Sequence, residues 1–389
     1  MKFLHTSDWH IGRTFHGQDL LGDQEQVLGS IADLVVEHGV DAVLIAGDLY
    51  DRAVPSTDAV QCATRILRRI GATGATIVIS SGNHDSAPRL GAFADFLEAG
   101  GLHIRSEMAR IADPVVLDAP SDDPAEHPRP AVLVYAIPYL EPDVARQYFG
   151  LPDARSHQRV LTEAMRRVRA DLATRPAGTR AVVVAHAFVV GGVAGDTERS
   201  IAVGGVESVT ADVFDGIDYV ALGHLHGRQV LADHLRYSGS PMPYSFTEAG
   251  HTKSVWLVDL GADGLGEVTP IDLPVARPLA TVRGELAEVL VSHPELREHY
   301  LAVEMTDDTR PTEPMRRLRE VFPFALKVEW KPAHPVPDGP DFSSARRETA
   351  EDVVIAEFIR NSRGIEADAT ELGWVSEALS AIRQSEAAL

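Results

Sequence analysis

Five short segments of the chain place carboxylate, amide and imidazole side chains at or just after the ends of predicted strands. The segments are Asp8–His10 (DWH), Gly47–Asp51 (GDLYD), Gly82–Asp85 (GNHD), Ala185–His186 (AH) and Gly223–His226 (GHLH). Strands of an α/β sheet open at their carboxyl ends onto a common crevice, where ligands usually bind. Glycines allow the tight turns that lift the following side chain into that crevice. We therefore expect the five segments to converge on one site.

Each segment is a weak signal by itself, and only their joint occurrence favours a metal site. A short Asp-x-His or Gly-Asp motif arises by chance, and a lone strand-end histidine such as His186 is more often a hydrogen-bonded structural residue. Burying Asp8, Asp48, Asp51 and Asp85 in one crevice with several imidazoles would be costly without cations. A purely structural explanation needs these groups to be scattered, whereas all of them follow predicted strands. The set therefore predicts a metal centre.

The donor types indicate which metal ions the centre would bind. Carboxylate, amide oxygen and imidazole ligands suit Mn²⁺, Fe²⁺ or Mg²⁺-like octahedral sites, with zinc as a further option. The single cysteine, Cys62, excludes a cysteine-rich zinc site. Two divalent ions would outweigh the charges of Asp8 and Asp48, and the surplus positive charge can hold a hydroxide and a phosphodiester. Two ions roughly 3.5–4 Å apart can activate a bridging water for attack on a phosphate.

The elements that position these segments alternate between strands and helices through the first two thirds of the chain. Buried strands are predicted at Phe3–Ser7, Asp41–Ala46, Thr76–Ser80, Ala131–Ile137, Ala181–Ala185 and Tyr219–Leu222. Helices are predicted at Asp23–Glu37, Ser56–Ile70, Ala87–Ala99 and Ser156–Ala173. This alternation predicts a layered α/β domain. Two later strands, Leu235–Ser238 and Ser254–Leu260, follow each other without a helix and are expected to be antiparallel, and Asp118–Pro130 is expected to be a surface loop.

The last third of the chain has a different pattern, which begins near Pro270–Pro278. Two units follow in which a helix leads into a strand, Glu285–Val291 into Leu301–Met305 and Pro314–Val321 into Leu326–Trp330. We interpret residues 271–335 as a small α/β cap domain, after a first domain at 1–270. We interpret residues 336–389 as a linker and a helical tail. The Pro-rich stretch Lys331–Pro340 is the linker, and helices are predicted at Ala350–Arg360 and Thr370–Ile382. Two lone helices cannot bury their apolar faces, so they must dock on the body of the protein or on a partner.

The net charge of the chain and the length of its apolar runs limit which kinds of partner it could bind. The net charge of −21 argues against nucleic acid, because Lys and Arg supply much of the affinity for DNA phosphates. If DNA is the substrate, bound cations, arginine clusters or a partner subunit must reverse the sign locally. No apolar run approaches the ~18 residues of a membrane helix, and the start lacks a signal-type stretch, so we expect a cytoplasmic protein that binds no membrane. No lysine follows a Gly-rich phosphate-binding loop, so this chain should bind no ATP.

The five segments, in this order, resemble the calcineurin-like metallophosphoesterase superfamily. Further stretches narrow the resemblance to the SbcD family, the nuclease partner of the SbcC ATPase, namely GDLYDRAVPS, SGNHDSAPRL, AIPYLEP, DYVALGHLHGRQV, LRYSGSPMPYSFTE and HTKSVWLVDL. The resemblance covers about the first 260 residues strongly, and beyond them only the order of the modules agrees. It implies an α/β fold, a four-layer αββα metallophosphoesterase sandwich with a small α/β cap domain and a helical C-terminal tail.

The resemblance also implies a role for each residue that matches a family motif. One metal ion would be held by Asp8, His10, Asp48 and His226, and the second by Asp48, Asn83, His186 and His224, with Asp48 bridging. His84 would bind no metal and would protonate the leaving alkoxide, with Asp85 as its orienting partner. Arg13, next to the first segment, is a candidate DNA contact.

The implied activity is hydrolysis of DNA phosphodiester bonds by a water that two metal ions activate. The family acts as an exonuclease on duplex ends and as an endonuclease on single strands and hairpins. Mn²⁺ is the expected ion. The expected partner is an SbcC-like ATPase subunit, which would dock on the C-terminal helices in a heterotetramer that contains a homodimer of this chain.

Two alternatives to the nuclease stay open. The first is another calcineurin-like phosphodiesterase that acts on small phosphoesters, and the second is a scaffold whose metals only stabilise the fold.

Three groups of arginines on predicted helices could also contact DNA, although charged helix faces are usually just solvated. They are Arg65, Arg68 and Arg69, then Arg166, Arg167 and Arg169, and finally Arg316, Arg317 and Arg319.

Overall fold

The computed structural model describes residues 1–117, 131–193, 208–333 and 350–386. The chain divides into two compact units, Met1–Ala276 and Arg277–Leu389. The predicted surface loop Asp118–Pro130 and most of the predicted linker Lys331–Pro340 lie outside the described residues. Within the described ranges, no helix is long and apolar enough to cross a membrane.

The first unit is built from short strands and amphipathic helices. Its strands are β1 (Lys2–Thr6), β2 (Thr14–Phe15), β3 (Gln18–Asp19), β4 (Ala42–Ala46), β5 (Thr76–Ser80), β6 (Leu102–Arg105), β7 (Val115–Leu117), β8 (Val132–Ile137), β9 (Arg180–His186), β10 (Phe188–Val189), β11 (Ser208–Val209), β12 (Tyr219–Gly223), β13 (Gln229–Ala232), β14 (Leu235–Tyr237), β15 (Ser254–Gly261) and β16 (Gly264–Asp272). Its α-helices are α1 (Leu21–His38), α2 (Thr57–Gly71), α3 (Ala87–Leu90), α4 (Ala94–Glu98), α5 (Pro142–Phe149) and α6 (His157–Leu172). Short 3₁₀ turns lie at Met108–Arg110, Ala211–Phe214 and Phe246–Glu248.

Two six-stranded sheets form the centre of this unit. The first has the order β16-β15-β1-β4-β5-β6, and its strands run parallel from β1 to β6. The second has the order β13-β14-β12-β9-β8-β7, and its strands run parallel from β14 to β8. Antiparallel strands therefore occur only at the borders of these sheets, among the residues that the structure describes.

The two sheets pack face to face over a continuous apolar core. Phe3 and Leu44 of the first sheet lie in one buried cluster with Val134, Val184 and Tyr219 of the second. The central strands β4, β8, β9 and β12 are buried on both faces, and all five residues of β4 are inaccessible to solvent. Parallel sheets that are covered on both faces produce such unbroken apolar runs in the sequence.

Helices cover the outer faces of both sheets, which confirms the predicted αββα layering. Val160, Ala164 and Val168 on α6 lie in a buried cluster with Tyr135 and Val183, on the outer side of the second sheet. On the other side, α1 and α2 contact each other, and α2 contacts β5. The Ser56 hydroxyl caps α2 by accepting from the backbone N–H of Ala59 at 3.2 Å.

Two predictions differ from the structure. The single helix predicted at Ala87–Ala99 is instead α3 and α4, which are separated at Gly91, where a Cβ would stand 2.3 Å from the Ser106 hydroxyl. The two later strands do not pair with each other, because β14 lies in the second sheet and β15 in the first. Strand β15 is antiparallel to both of its neighbours, whereas β14 is antiparallel to β13 and parallel to β12.

The second unit contains a small parallel sheet. Its elements are β17 (Leu279–Gly284), α7 (Leu286–Ser292), a 3₁₀ turn (Pro294–Glu298), β18 (Tyr300–Met305), α8 (Pro314–Val321), β19 (Ala325–Trp330), α9 (Glu351–Arg363) and α10 (Ala369–Glu386). The strands lie in the order β17-β18-β19, and a core that includes Leu286, Val303, Leu318 and Phe322 fills the space between the sheet and its helices. The boundaries of a cap domain and a tail stay a prediction.

Helices α9 and α10 contact each other and leave apolar side chains in solvent. Arg363 at the end of α9 forms an ion pair with Glu371 of α10, and Arg383 pairs with Glu351 at 3.1 Å. Phe358 is 62% exposed and Trp374 is 65% exposed. Exposed apolar groups of this size are typical of a surface that binds a partner.

Candidate metal centre

The five predicted segments lie at the carboxyl ends of β1, β4, β5, β9 and β12. The ends of the two sheets meet at one edge of the sandwich, where the His186 ring donates from Nδ1 to the Ala46 carbonyl of the opposite sheet at 2.9 Å. Six of the seven predicted ligands are buried, and Asn83 is half-buried. The structure therefore brings together every residue for which a metal-binding role is predicted.

One group of donors contains Asp8, His10, Asp48 and His226. The Nε2 atoms of His10 and His226 are 3.1 Å apart, and His10 Nε2 lies 3.7 Å from Asp48 Oδ2. The donor atoms of Asp8, His10 and His226 all lie within 4.8 Å of one another. Two imidazole nitrogens and two carboxylates at this spacing can surround a single cation.

The second group contains Asp48, Asn83, His186 and His224. His186 Nε2 lies 2.8 Å from Asn83 Oδ1 and 3.4 Å from Asp48 Oδ2. His224 Nδ1 lies 3.2 Å from Asn83 Oδ1 and 3.2 Å from His186 Nε2. Asp48 Oδ2 thus approaches both groups, which is the arrangement that a bridging carboxylate requires. Among the described residues, the His, Cys, Asp and Glu clusters able to hold a metal all lie in this centre.

Four of the seven predicted ligands have a backbone conformation that non-glycine residues rarely adopt. The φ angles are 52° at Asp8, 44° at His10, 50° at Asp48 and 105° at His224. Strained conformations of this kind persist only where the surrounding structure holds them, and they cluster at functional sites. One such restraint is visible at His224, whose backbone N–H donates to both carboxylate oxygens of Asp8, at 3.0 and 3.1 Å.

Two glycines allow the close approach of the loops. A Cβ at Gly82 would stand 2.1 Å from Asp48 Oδ1, and a Cβ at Gly223 would stand 1.7 Å from the Ala46 carbonyl oxygen. Real Cβ atoms do not approach other atoms so closely, so any side chain at either position would push two loops of the centre apart. The glycines in the GNHD and GHLH segments are therefore needed for packing as well as for turning the chain.

Burial keeps three of the four ligand imidazoles neutral. It lowers the pKa of His224 to about 3 and places the pKa values of His10 and His226 well below their ordinary value. Neutral imidazoles carry a lone pair on one ring nitrogen, and metal coordination needs that lone pair. The Nε2 lone pairs of His10 and His226, only 3.1 Å apart, repel each other unless a proton or a cation lies between them, so this pair of donors fits a divalent cation.

The remaining charges of the centre balance one another. Burial raises the pKa of Asp8 well above its usual range, although the charge of His186 acts against it. Burial acts in the same direction on Asp48, but the charge and hydrogen bond of His186 outweigh it and hold the pKa of Asp48 far below its usual range. The pKa of His186 rises to about 9 because the carboxylate of Asp48 outweighs the effect of burial. A cation bound beside Asp48 would therefore replace the proton that His186 carries.

His84 lies against the first group of donors, and ligand atoms of His84, His10 and Asp48 all lie within 4.8 Å of one another. Its backbone N–H donates to Asp48 Oδ1 at 2.8 Å, and its ring lies edge-on to the ring of His10, with centroids 4.7 Å apart. Its Nδ1 donates to the backbone carbonyl of Asp51 at 2.8 Å, which fixes the ring and makes Nε2 the nitrogen that can exchange a proton with a ligand. His84 is half-buried, so a substrate can approach it.

Asp85 fixes the loops around His84. Its carboxylate accepts from the backbone N–H groups of Gly82 at 3.0 Å, Tyr50 at 3.0 Å and Leu49 at 3.2 Å. Burial, helped by the negative charge of Asp48, raises its pKa to about 6. These contacts tie the GNHD segment to the GDLYD segment, whereas the hydrogen bond that orients the His84 ring goes to Asp51.

Residues outside the predicted ligand set hold His10 in place. The Gln24 side chain is fully buried and donates to the carbonyl of His10 at 2.7 Å and to the hydroxyl of Tyr244 at 3.1 Å. Asp51 Oδ1 lies 3.7 Å from His10 Nδ1. The same oxygen accepts from Arg13 at 3.3 Å, and the Arg13 guanidinium also lies 4.8 Å from the ring centroid of Tyr244. The candidate DNA contact Arg13 is thus engaged inside the protein.

Acidic neighbours neutralise many of the exposed arginines. Arg65 binds Glu25 through two hydrogen bonds of 2.6 and 2.8 Å. Arg166 and Arg167 share Glu163, at 2.7 and 2.9 Å. These pairs fit the interpretation of the arginine clusters as solvated helix faces.

Comparison with known proteins gives two family matches. The model described as calcineurin-like phosphoesterase matches residues 1–228, and the SbcD C-terminal model, described as the Type 5 capsule protein repressor C-terminal domain, matches residues 275–359. Similar solved structures include TT1561 of Thermus thermophilus, with 14% identity, a TM-score of 0.39 and coverage of 69% of this chain and 98% of that one. A dimetal phosphatase from Danio rerio has 14% identity, a TM-score of 0.35 and coverage of 70% and 99%.

Proposed function

This chain belongs to the calcineurin-like phosphoesterase family and carries an SbcD-type C-terminal region, and we propose that it is the nuclease subunit of an SbcCD-type complex that processes DNA ends. The observation that carries the proposal is the convergence of seven metal donors in two groups that share Asp48, with His84 beside them. The SbcD-type match at residues 275–359 supports a DNA nuclease over a phosphodiesterase of small esters, because the SbcD family that the chain resembles cleaves DNA.

Seven residues would hold the two metal ions. Asp8, His10, Asp48 and His226 would bind one, and Asp48, Asn83, His186 and His224 the other. When bound, two divalent ions supply Lewis acidity that activates a water and neutralises charge on the phosphate. The oxygen and nitrogen donors suit Mn²⁺, and no cysteine is among the donors of the centre.

His84 would act as the general acid. Hydrolysis joins a water oxygen to phosphorus and breaks the bond from phosphorus to the leaving alkoxide, which must then gain a proton. The Asp51 carbonyl accepts from His84 Nδ1, so Nε2 is the atom that would deliver this proton. The backbone bond from His84 to Asp48 holds the acid at a fixed position relative to both metal groups.

The negative charge of the chain supports a role for a partner subunit. With a net charge of −21 and with Arg13 paired to Asp51, this chain would rely on the proposed ions and on a partner to attract DNA phosphates. An SbcC-like ATPase in a heterotetramer would supply ATP hydrolysis and part of the DNA-binding surface, in the cytoplasm. Phe358 and Trp374 on α9 and α10 are exposed apolar groups on which such a subunit would dock.

A homodimer is proposed by the same resemblance. A groove of about 830 Å³ lies beside α2 and α3, and its apolar lining includes Val54, Val60, Phe93 and Leu97. Val54 is 65% exposed and Phe93 is 69% exposed. We place the contact between two copies of this chain on this groove, since exposed apolar surface of this kind is a typical protein interface.

A nuclease assay over a series of divalent metals tests the proposal. The purified chain should degrade linear duplex DNA with Mn²⁺, at least when an SbcC-like subunit and ATP are present, and should lose the activity in chelator. Bis(p-nitrophenyl) phosphate, assayed in parallel, reports whether the metal centre is intact. Hydrolysis of the small ester without cleavage of DNA under any condition would favour the alternative phosphodiesterase. Metal binding without hydrolysis of either substrate would favour a scaffold.

A further inference from the structure

A buried ion pair stands directly behind His226. Lys253 and Glu248 are 7% and 2% exposed, and the ammonium of one contacts the carboxylate of the other. A buried pair is a weak source of stability, because the desolvation of two charges offsets most of their attraction. Neither residue belongs to the metal ligands or to the general acid, so the pair needs another explanation than the chemistry described above.

Lys253 fixes the backbone of His226. Its ammonium donates to the His226 carbonyl at 2.8 Å and to the Ser240 hydroxyl at 3.0 Å, in addition to Glu248. Ser240 donates to the same carbonyl from its backbone N–H at 3.2 Å, and its hydroxyl donates to the Met242 carbonyl at 2.7 Å. These hydrogen bonds tie the GHLH segment, through the carbonyl of His226, to the stretch that follows β14.

Glu248 lies on the side of the His226 ring that faces away from the other donors. Glu248 Oε1 is 4.0 Å from His226 Nδ1, whereas His226 Nε2 faces His10 Nε2 at 3.1 Å. The same carboxylate oxygen accepts from the backbone N–H of Tyr244 at 3.4 Å. The ring of Tyr244 in turn lies edge-on to His10 and His226, with centroid distances of 5.6 and 5.7 Å. The stretch from Ser240 to Lys253 therefore supports one donor group, while His186 of the other group is held by Ala46.

We propose that Lys253 and Glu248 are positioning residues for one of the two ions, the one that His10 and His226 would hold. The inference rests on the proposed metal binding and adds that Lys253 and Glu248 support only one of the two metal sites. Outer groups that fix the orientation of a metal-binding histidine typically contribute a factor of about 10–100 to metal affinity. Lys253→Met and Glu248→Gln should therefore weaken one Mn²⁺ site by about 10–100-fold and leave the site at Asn83 and His224 nearly unchanged.

Titration with Mn²⁺ alone, followed by calorimetry and by electron paramagnetic resonance, measures both sites. The wild-type protein should bind two ions and give the signal of a coupled pair, and each variant should pass through a state with one ion. Lys2→Met is the matched control for the lysine, because its ammonium donates to the His38 carbonyl at the surface, at 3.3 Å. Glu25→Gln is the control for the glutamate, because Glu25 is the exposed partner of Arg65. Both controls should bind two ions as the wild type does.

The double variant Lys253→Met/Glu248→Gln separates positioning from simple charge compensation. Each single variant leaves one buried charge unpaired and should lower the melting temperature, whereas the double variant removes both charges and should recover most of the loss. Under the proposal, its weakened Mn²⁺ site stays weak. Recovery of affinity together with stability would overturn the inference, as would equal weakening of both ions.

Two further outcomes are also decisive. If Lys253→Met does not fold, Glu248→Gln alone decides, since it keeps the shape of the side chain and its second ion serves as an internal reference. A wild-type protein that binds no Mn²⁺ would overturn the proposed function, and this inference with it. A wild type that binds two ions, alongside variants that bind both equally well, would overturn this inference only.

Discussion

Replacing His84 by glutamine should remove the proposed proton donor and leave the proposed metal ligands in place. His84 makes two separable contacts, a backbone bond to Asp48 Oδ1 and a ring bond to the Asp51 carbonyl, each of 2.8 Å. Glutamine keeps the first contact, and its amide N–H can donate to the same carbonyl, but it cannot protonate a leaving oxygen. General acid catalysis contributes about 10²–10⁴-fold. At ~1.36 kcal/mol per factor of ten, the variant should lose about 2.7–5.4 kcal/mol of transition-state stabilisation on DNA.

The assay compares two substrates that differ in the need for that proton. With Mn²⁺, the variant should lose the full factor on DNA, whose leaving alkoxide is strongly basic. It should lose much less on bis(p-nitrophenyl) phosphate, because a nitrophenolate leaves as a stable anion. Manganese content should equal that of the wild type, and His293→Gln, a half-buried histidine of the second unit, is the control variant. An equal loss on both substrates, or a loss of manganese, would refute the role of His84 as a proton donor.

Three further predictions concern the metals and the dimer. Asp48→Asn should lose both ions, because Asp48 Oδ2 lies 3.7 Å from His10 Nε2 and 3.4 Å from His186 Nε2. Asn83→Ala should lose only one ion. Equal metal content of the two variants, measured by mass spectrometry, would contradict the shared role of Asp48. Mn²⁺ binding at pH 7 should release protons, because His186 has a pKa of about 9, is protonated there and must become neutral to coordinate. Apparent affinity should thus rise from about pH 6 to about pH 9. Calorimetry in buffers of different ionisation heat measures both effects, and an affinity independent of pH would argue against them. Val60→Glu on α2 should convert a homodimer into a monomer that still hydrolyses a small ester, and an unchanged mass by light scattering would place the contact elsewhere.

The central strands were predictable because burial on both faces leaves an unbroken apolar run in the sequence. The five residues of β4, AVLIA, are all buried, and the strand was predicted with nearly its observed ends. In contrast, none of the four residues of β13 is fully buried, and its sequence, QVLA, gives no comparable run. The predicted helix is interrupted at Gly91, which packs so closely against Ser106 that a Cβ would stand 2.3 Å from its hydroxyl, and local periodicity does not record such a tertiary contact.

The convergence of the seven proposed metal ligands was predictable because each lies at or just after the end of a strand, but the residues that support them were not. Gln24 fits the ordinary pattern of an amphipathic helix, and only the fold reveals that it donates to the carbonyl of His10. Lys253 and Glu248 are likewise unremarkable in a polar stretch, and their contact with His226 arises from tertiary structure. Arg13 was singled out for its nearness to the first segment, yet nearness in sequence does not reveal that its guanidinium turns toward Asp51.

The strained backbone of the proposed ligands explains why their residue types carry so much information. A non-glycine residue held in a sparsely populated backbone region costs about 1–3 kcal/mol, so four such ligands cost about 4–12 kcal/mol. Glycine would relieve this strain at Asp8, His10, Asp48 or His224, but glycine has no side chain that can bind a metal. Asp, Asn and His are the non-glycine residues that adopt a left-handed backbone most readily, and all three can donate to a cation. Loops that must turn sharply at a strand end and also coordinate an ion therefore admit few residue types, and that restriction is what makes the five segments recognisable in the sequence.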